Sequence, residues 1–275
     1  VKNKRSFGQR PRFQAADPVR AKKELGQHFL EDASAADRLA DALGDLSGQR
    51  ILEIGPGMGV LTRPLLERKA DLKVVELDGE SVRYLEAHFP ELQGRIVPAD
   101  FLHWPLEQAF DGQPFSIVGN FPYNISSQIL FKTLEYKSLI PSFAGMFQLE
   151  VAKRIGSREG NKEYGILSVL TQAYYDVEFL FELGPEVFNP PPKVRSGVIR
   201  MFRRATEPEG VLEKDLRLIV KTAFNQRRKT LRNALSPLGA GHPAIEMLEA
   251  RGWTGLRAEQ LSVEQFCELA RRPAV

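Results

Sequence analysis

Residues 49–59 read QRILEIGPGMG. The apolar run from Gln49 to Ile54 suits a buried strand, and it gives way to glycines at positions 55, 57 and 59. Glycines between a strand and a helix let the backbone approach a ligand closely, as nucleotide-binding turns of open α/β sheets do. The spacing is G-x-G-x-G with Val60 following, so the dinucleotide fingerprint G-x-G-x-x-G is not met. That argues against NAD and against a phosphate cradle.

Working outward, Leu72 to Val75 forms a second strand that ends in Glu76-Leu77-Asp78. A carboxylate there, about 20 residues past the first glycine, is placed to accept hydrogen bonds from ribose hydroxyls. A third strand, Arg95 to Val97, ends in Pro98-Ala99-Asp100-Phe101. Acids at three neighbouring strand ends, Glu53, Glu76 and Asp100, would repel a pyrophosphate and suit a cationic, phosphate-free nucleoside. S-adenosylmethionine combines a ribose and an adenine with an ammonium and a sulfonium, and it fits that description.

Residues 115–124 read FSIVGNFPYN. Phe115, Ile117 and Val118 open a strand expected to break at Gly119, which delivers Asn120, Phe121, Pro122 and Tyr123 at its carboxyl end, where such sheets hold ligands. An exocyclic amine on a flat base is a poor nucleophile because its lone pair is delocalised into the ring. Two acceptors, the Asn120 side-chain oxygen and the Pro122 carbonyl, can bind both N–H groups and free that lone pair, while Tyr123 stacks on the base. Proline has no N–H to compete.

Further helices are expected over Ala33–Leu46, Ser126–Leu134 and from Gln148 to Ile155; further strands over Phe143–Phe147, within Leu167–Leu183 and over Gly197–Phe202. Ser157–Lys162 reads as a mobile loop. Pro190, Pro191 and Pro192 stiffen a connector that can fix Phe188 and Lys193 near the cleft. Thr206–Gly210 reads as a linker. Beyond it the pattern is helical: Leu216, Ile219, Val220, Ala223 and Phe224 mark an apolar face, and Lys221, Arg228 and Arg232 share a polar face if the helix is continuous, with Asn225 or Gln226 as candidate breaks. Ser262-Val263-Glu264-Gln265 is a capping box.

The net charge of the 275 residues is only +3, but the charge is unevenly spread. Residues 1–23 hold eight Lys and Arg against Asp17, and 193–204 and 221–232 each hold five basic residues and no acid. Three such patches point to a polyanion. The single Cys267 excludes an internal disulfide and reads as core filling. The four scattered histidines give no ligand spacing, so no metal is expected. With no apolar run of membrane length and no secretory segment, a cytoplasmic protein is expected.

LGQHFL, EIGPGMGVLT, VELD, AD at 99–100, GNFPYNIS, YGILSV, FNPPPKVRS and NQRRKTLRNAL occur in this order, and together they resemble the KsgA/RsmA family of small-subunit ribosomal RNA adenine dimethyltransferases. The resemblance runs from about Lys23 to the C-terminus. It implies a class I S-adenosylmethionine-dependent methyltransferase, Rossmann-like with a seven-stranded sheet, and a small all-α C-terminal domain. The division expected is a flexible basic arm over 1–23, a catalytic domain over 24–205 and a helical RNA-binding domain over 206–275. It further implies that two adjacent adenosines in the hairpin loop near the 3′ end of 16S rRNA each receive two methyl groups, by a monomer acting on the small subunit or its precursor.

By matching motif positions, the resemblance places His28, Leu30, Gly55, Glu76, Asp100 and Asn120 on the cofactor. With Glu53, Gly57, Gly59, Leu77 and Phe101 they make the expected cofactor set. Asn120, Pro122, Tyr123 and Phe188 make the expected catalytic set, with Phe188 closing the second face of the base. Lys193, Arg195, Lys221, Arg227, Arg228, Lys229 and Arg232 make the expected RNA-binding set. The chain departs from the family at His28, usually Asn, and at Phe121, usually Leu. Two rival readings share the fold: a resistance-type 23S rRNA or DNA adenine-N6 methyltransferase, and a non-catalytic RNA-binding assembly or transcription factor. The Phe188 loop and the basic C-terminal motif speak against the first, and the full set Glu76, Asp100, Asn120, Tyr123 against the second.

Overall fold

The computed structural model describes residues 19–272. Strand β1 (Phe29–Leu30) precedes helix α1 (Ala33–Asp41), which starts where Asp32 accepts from the backbone N–H groups of Ser34 (2.8 Å) and Ala35 (3.2 Å). Ala35, Ala36, Leu39 and Ala40 form its buried stripe. The helix stops at Asp41, short of the expected Leu46, although Leu43 and Leu46 are still buried beyond it. Then β2 (Arg50–Ile54), α2 (Thr62–Glu67), β3 (Asp71–Glu76), α3 (Gly79–His88), β4 (Ile96–Pro98) and β5 (Ser116–Asn120) alternate in the manner of βαβ units. The chain continues through α4 (Ser126–Glu135), β6 (Ser142–Gln148), α5 (Leu149–Gly156), α6 (Ile166–Gln172), β7 (Tyr175–Leu183), β8 (Phe188–Asn189) and β9 (Ser196–Arg203). It ends in α7 (Glu213–Asn225), α8 (Leu231–Ala234), α9 (Pro243–Ala250) and α10 (Val263–Ala270).

Seven strands form one sheet in the order β4-β3-β2-β5-β6-β9-β7. The first five run parallel, while β9 is antiparallel to both β6 and β7. The order reverses between β2 and β5, so the crevice for a ligand opens at the carboxyl ends of those two strands. Alternate residues feed two cores. Ile51, Val74 and Val118 face α1, α2 and α3, whereas Leu52, Val75 and Ile117 face α4 and α6. The second of these cores continues without a break into Leu216, Ile219, Phe266 and Leu269 of the C-terminal helices.

β5 does not break at Gly119 but runs through it to Asn120. Glycine is required there because a Cβ would lie 2.6 Å from the Phe121 ring and 2.7 Å from the Ile54 carbonyl oxygen. Gly145 on the neighbouring strand likewise faces that ring. The stretch Leu167–Leu183 divides into a helix, α6, and a strand, β7, where Tyr174 and Tyr175 mark the change. The polar helix face proposed for Lys221, Arg228 and Arg232 does not exist as one surface stripe. α7 ends at Asn225, and Gln226 turns the chain before α8. The Ser262–Gln265 capping box is present at the start of α10.

Of the arm expected over 1–23, residues 1–18 lie outside the described residues. The remainder is not a free arm: Val19 is buried, and the Lys22 ammonium donates to the Asp78 carboxylate.

Candidate active site

A cavity of about 170 Å³ opens at the carboxyl ends of β2, β3, β4 and β5. Its walls carry Gly55 and Gly57 from the glycine turn, Glu76 and Leu77 after β3, Asp100 and Phe101 after β4, and Asn120, Pro122 and Tyr123 after β5. Gly26, Gln27 and His28, from the segment before β1, cover it. That segment is held down by β1 pairing antiparallel with β8, Phe29 opposite Asn189 and Leu30 opposite Phe188.

The Asn120 side chain is oriented by its amide. Its Nδ2 donates to the main-chain carbonyl of His28 at 2.9 Å, which leaves Oδ1 as an uncommitted acceptor at the cavity wall. The Pro122 carbonyl accepts the Ile125 N–H at 3.2 Å and keeps a second lone pair. The Tyr123 hydroxyl is bonded to the Ser196 hydroxyl at 2.5 Å, and its ring stacks on His28 with centroids 5.4 Å apart and planes at 30°. Burial pushes the Tyr123 phenol up, against the Ser196 bond, which favours the anion. The His28 Nδ1 lies 2.7 Å from the Pro190 carbonyl. A carbonyl can only accept, so that contact fixes the proton on Nδ1.

Glu76 is buried, and its two oxygens accept the N–H groups of Gly57 (3.2 Å) and Asp78 (2.8 Å). Burial raises its pKa, and these backbone bonds oppose the rise. Each oxygen keeps a lone pair for a hydroxyl donor. Asp100 accepts the Leu102 N–H at 2.9 Å and binds His103 Nδ1 at 2.6 Å. Burial works to raise its pKa but is outweighed by these two partners, which hold the carboxyl below its usual value. Asp78 caps α3 and collects Lys22, Gln27 and Ser81. Burial is again outweighed there, by Lys22 above all.

Glu53 stands apart from this set. It is 1% exposed and lies beside the main cavity, in a chamber of about 20 Å³ whose walls include Leu30, Gly55 and Asn120. Burial, opposed by the Thr62 hydroxyl bond at 2.7 Å and reinforced by Glu76, pushes it up to about 8. At neutral pH the group is therefore mainly a neutral acid, so the three carboxyls do not share the negative charge equally.

Four expected residues do not line the main cavity: Leu30 and Glu53 belong to the side chamber, and Phe188 and Gly59 line neither. Phe188 is 3% exposed, pairs with Leu30 and packs with the α1 core, so it closes no face of the cavity. Gly59 faces the Phe89 ring instead. Of the basic set, Lys193, Lys221, Arg228, Lys229 and Arg232 are exposed, and none has an ion-pair partner among the described residues. Arg195 and Arg227 are engaged by Glu182 (3.3 Å) and Glu259 (2.6 Å). Arg227 also donates to the Asn161 carbonyl at 3.3 Å, and Gly160 N–H donates to the Glu259 carbonyl at 2.8 Å, so the 157–162 loop is tied to the helical unit. Reading the sequence missed Lys22, Gln27, Ser196 and Thr62. Gln27, Thr62 and Ser196 stand inside the quoted motifs, but the partner that gives each of the four its role is brought near only by folding.

The lining accepts a phosphate-free, cationic nucleoside. Among the described residues of the cavity there is no Lys or Arg to hold a pyrophosphate, while Glu76 and Asp100 stand on the β3 and β4 sides. A side chain at Gly57 would meet the Phe29 ring at 2.8 Å, so the turn stays bare for close approach. Among the described residues no group of His, Cys, Asp or Glu could hold a metal ion, and no helix is long and apolar enough to cross a membrane.

The family model described as ribosomal RNA adenine dimethylase matches residues 19–274. A ribosomal RNA small subunit methyltransferase A of Parabacteroides distasonis is 54% identical over 254 residues, covering 91% of this chain and 93% of that protein. Its counterpart in Flavobacterium johnsoniae is 50% identical over 256 residues, covering 93% and 97%. The crystal structure of a dimethyladenosine transferase from Plasmodium falciparum matches with a TM-score of 0.75 at 22% identity, over 88% of this chain and 96% of that one, a likeness of fold. The 23S rRNA methyltransferase ErmE matches with a TM-score of 0.64 at 28% identity, over 88% and 97%.

Proposed function

The chain belongs to the ribosomal RNA adenine dimethylase family, and we propose that it converts two adjacent adenosines in the hairpin loop near the 3′ end of 16S rRNA to their N6,N6-dimethyl forms, in the small subunit or its precursor. It is an S-adenosylmethionine-dependent methyltransferase with the class I fold. When bound, the cofactor supplies a methyl group on a cationic sulfur, an electrophile. Glu76 accepts from its ribose hydroxyls. Asp100 and Phe101 stand on one side of Glu76 and the glycine turn and Asn120 on the other, an arrangement that supports a purine end held by the former pair.

The target adenosine leaves its loop and enters the cavity mouth. Asn120 Oδ1 and the Pro122 carbonyl accept the two N–H groups of N6 and turn its lone pair towards the electrophile. Tyr123, braced by Ser196, stacks on the base. Positive charge grows on N6 during transfer, so two oxygen dipoles aimed there stabilise the transition state more than the ground state. The methylated ammonium is strongly acidic and loses its proton to water without a dedicated base. One acceptor suffices for the remaining N–H in the second round.

The observation that carries this reading is the bond from Asn120 Nδ2 to the His28 carbonyl, because it leaves Oδ1 free in the cavity. The five exposed, unpaired basic residues support a phosphate-gripping role for the helical 206–275 unit together with the loop at Lys193. The direct test is to incubate the protein with labelled cofactor and small subunits lacking the modification, and to map the product by mass spectrometry. Dimethyladenosine at two adjacent positions of the 3′ hairpin is expected. Modification of large-subunit RNA, or of none, overturns the assignment.

A further inference from the structure

Lys132 belongs to no surface patch. It lies on α4 and is 8% exposed, and no carboxylate pairs with it among the described residues. Its ammonium donates to the Phe101 carbonyl at 2.6 Å and to the Trp104 carbonyl, with the Phe101 and Tyr136 rings at 5.1 and 5.8 Å. Burial of a cation is costly, and a methionine of similar length would fill the same space without that cost. What the ammonium adds is a pair of donors aimed at two carbonyls, with a positive charge that favours the Asp100 carboxylate.

Those carbonyls belong to the turn from Asp100 to Trp104. The turn closes on itself through the N–H groups of His103 (3.1 Å) and Trp104 (2.9 Å), both donating to the Asp100 carbonyl. Asp100 and Phe101 line the cavity. The outward carbonyls of Phe101 and Trp104 are the ones that Lys132 receives. The helix carrying Lys132 begins at Ser126, whose hydroxyl donates to the Tyr123 carbonyl at 3.1 Å. One side chain thus joins the wall after β4 to the helix that continues from the Asn120–Tyr123 loop.

We propose that Lys132 is a positioning residue that sets the Asp100–Phe101 wall against the Asn120–Tyr123 loop, and through it the seat of the cofactor's purine. The inference rests on the reading of the cavity as a cofactor site, and it adds a group that touches neither cofactor nor RNA. A wall held by two charge-assisted hydrogen bonds keeps its shape before the ligand arrives, so binding does not have to order it. Without the ammonium the two carbonyls have no donor and the turn is free to shift.

The test is calorimetric titration of wild type, Lys132→Met and Lys132→Gln with S-adenosylhomocysteine and with 5′-methylthioadenosine, which lacks the amino-acid end. Thermal melts and binding to small subunits are recorded alongside. Lys132→Met is expected to weaken both nucleosides by the same factor, about tenfold or ~1.4 kcal/mol. Subunit affinity stays as in wild type, and turnover recovers at saturating cofactor, so KM rises while kcat holds. Lys132→Gln, which retains a donor, falls between. Wild-type affinity in the Met variant, or a loss confined to S-adenosylhomocysteine, overturns the proposal. If wild type itself binds neither nucleoside, the cofactor reading fails instead. Should Lys132→Met not fold, the Gln variant is judged by the same criteria.

Discussion

Asn120 and His28 are joined by one hydrogen bond, from the side-chain amide of the first to the main-chain carbonyl of the second, at 2.9 Å. That bond dictates which end of the amide faces the cavity. Asn120→Ala removes the acceptor without filling the space, and turnover is expected to drop by about 10²–10³, the range seen when one transition-state dipole is lost. Asn120→Asp is expected to be as poor, because a carboxylate opposes the His28 carbonyl and cannot keep the same orientation. Small-subunit affinity, measured by filter binding, stays within about threefold in both.

Because His28 holds Asn120 through its backbone, its side chain has a separate job. The imidazole covers one face of Tyr123 and bonds the Pro190 carbonyl. His28→Ala keeps the carbonyl and uncovers the ring. Its kcat is expected to remain within about threefold of wild type, and KM for the RNA is expected to fall or stay level. A tenfold loss of kcat would show that the imidazole itself assists transfer.

Glu53 predicts a pH dependence of stability. Its carboxyl titrates near 4.5 when unfolded and at about 8 in the folded chain. Below the lower value both states hold the proton, and this carboxyl's contribution to stability is highest. As pH rises towards about 8 the unfolded chain gives up a proton that the folded chain retains, so stability falls, and it levels off above that pH. Glu53→Gln removes this dependence. Melts of the ligand-free proteins at about pH 5 and about pH 8.5 should show the variant gaining on wild type by up to a few kcal/mol at the higher pH.

Phe121 is flanked by two bare glycines, and Gly145 is the simpler test because the three atoms nearest an added Cβ all belong to that ring. Gly145→Ala places a methyl group onto the Phe121 ring and is expected to cost about 1–3 kcal/mol in urea unfolding. In a Phe121→Leu background the same change should cost clearly less, a coupling that a double-mutant cycle reads directly. Equal costs in both backgrounds would show that the ring is not what the methyl group meets.

The basic residues divide by their partners. Removing the charge of Arg228, Lys229 or Arg232 is expected to lower the salt dependence of RNA binding by roughly one unit each in the log–log slope. Arg227→Ala should leave that slope nearly unchanged and lower the melting temperature instead, since its guanidinium is held by Glu259 and the Asn161 carbonyl. A full unit of slope lost in Arg227→Ala would place that side chain on phosphate.

The parts of this fold that could be read from the chain are those set by neighbours in sequence. Glycines at 55, 57 and 59 all adopt positive φ, as a turn of that spacing requires, and Asn120 stands where β5 ends. What escaped depends on contacts between distant segments. Phe188 looked like a cleft residue because its loop carries family motifs, yet pairing with Leu30 draws it into the core. Arg195 and Arg227 looked free until Glu182 and Glu259 came to them through folding. Gly119 read as a strand end, although its missing side chain reflects the return of Phe121 over the strand. The division of Leu167–Leu183 into helix and strand was hidden by apolar residues that serve either period.

The pairing of β1 with β8, and the insertion of β9 between β6 and β7, set a timetable. A nascent chain holds every glycine and acid of its ligand site by the time Asp100 and Asn120 have left the ribosome. The roof over that site lacks its last fastening until Phe188 and Asn189 emerge to clasp the first strand. β7 then waits for β9, because β9 is its neighbour in the sheet. Full competence to hold a cofactor is therefore expected late in synthesis, and truncated products ending before residue 188 should retain one poorly.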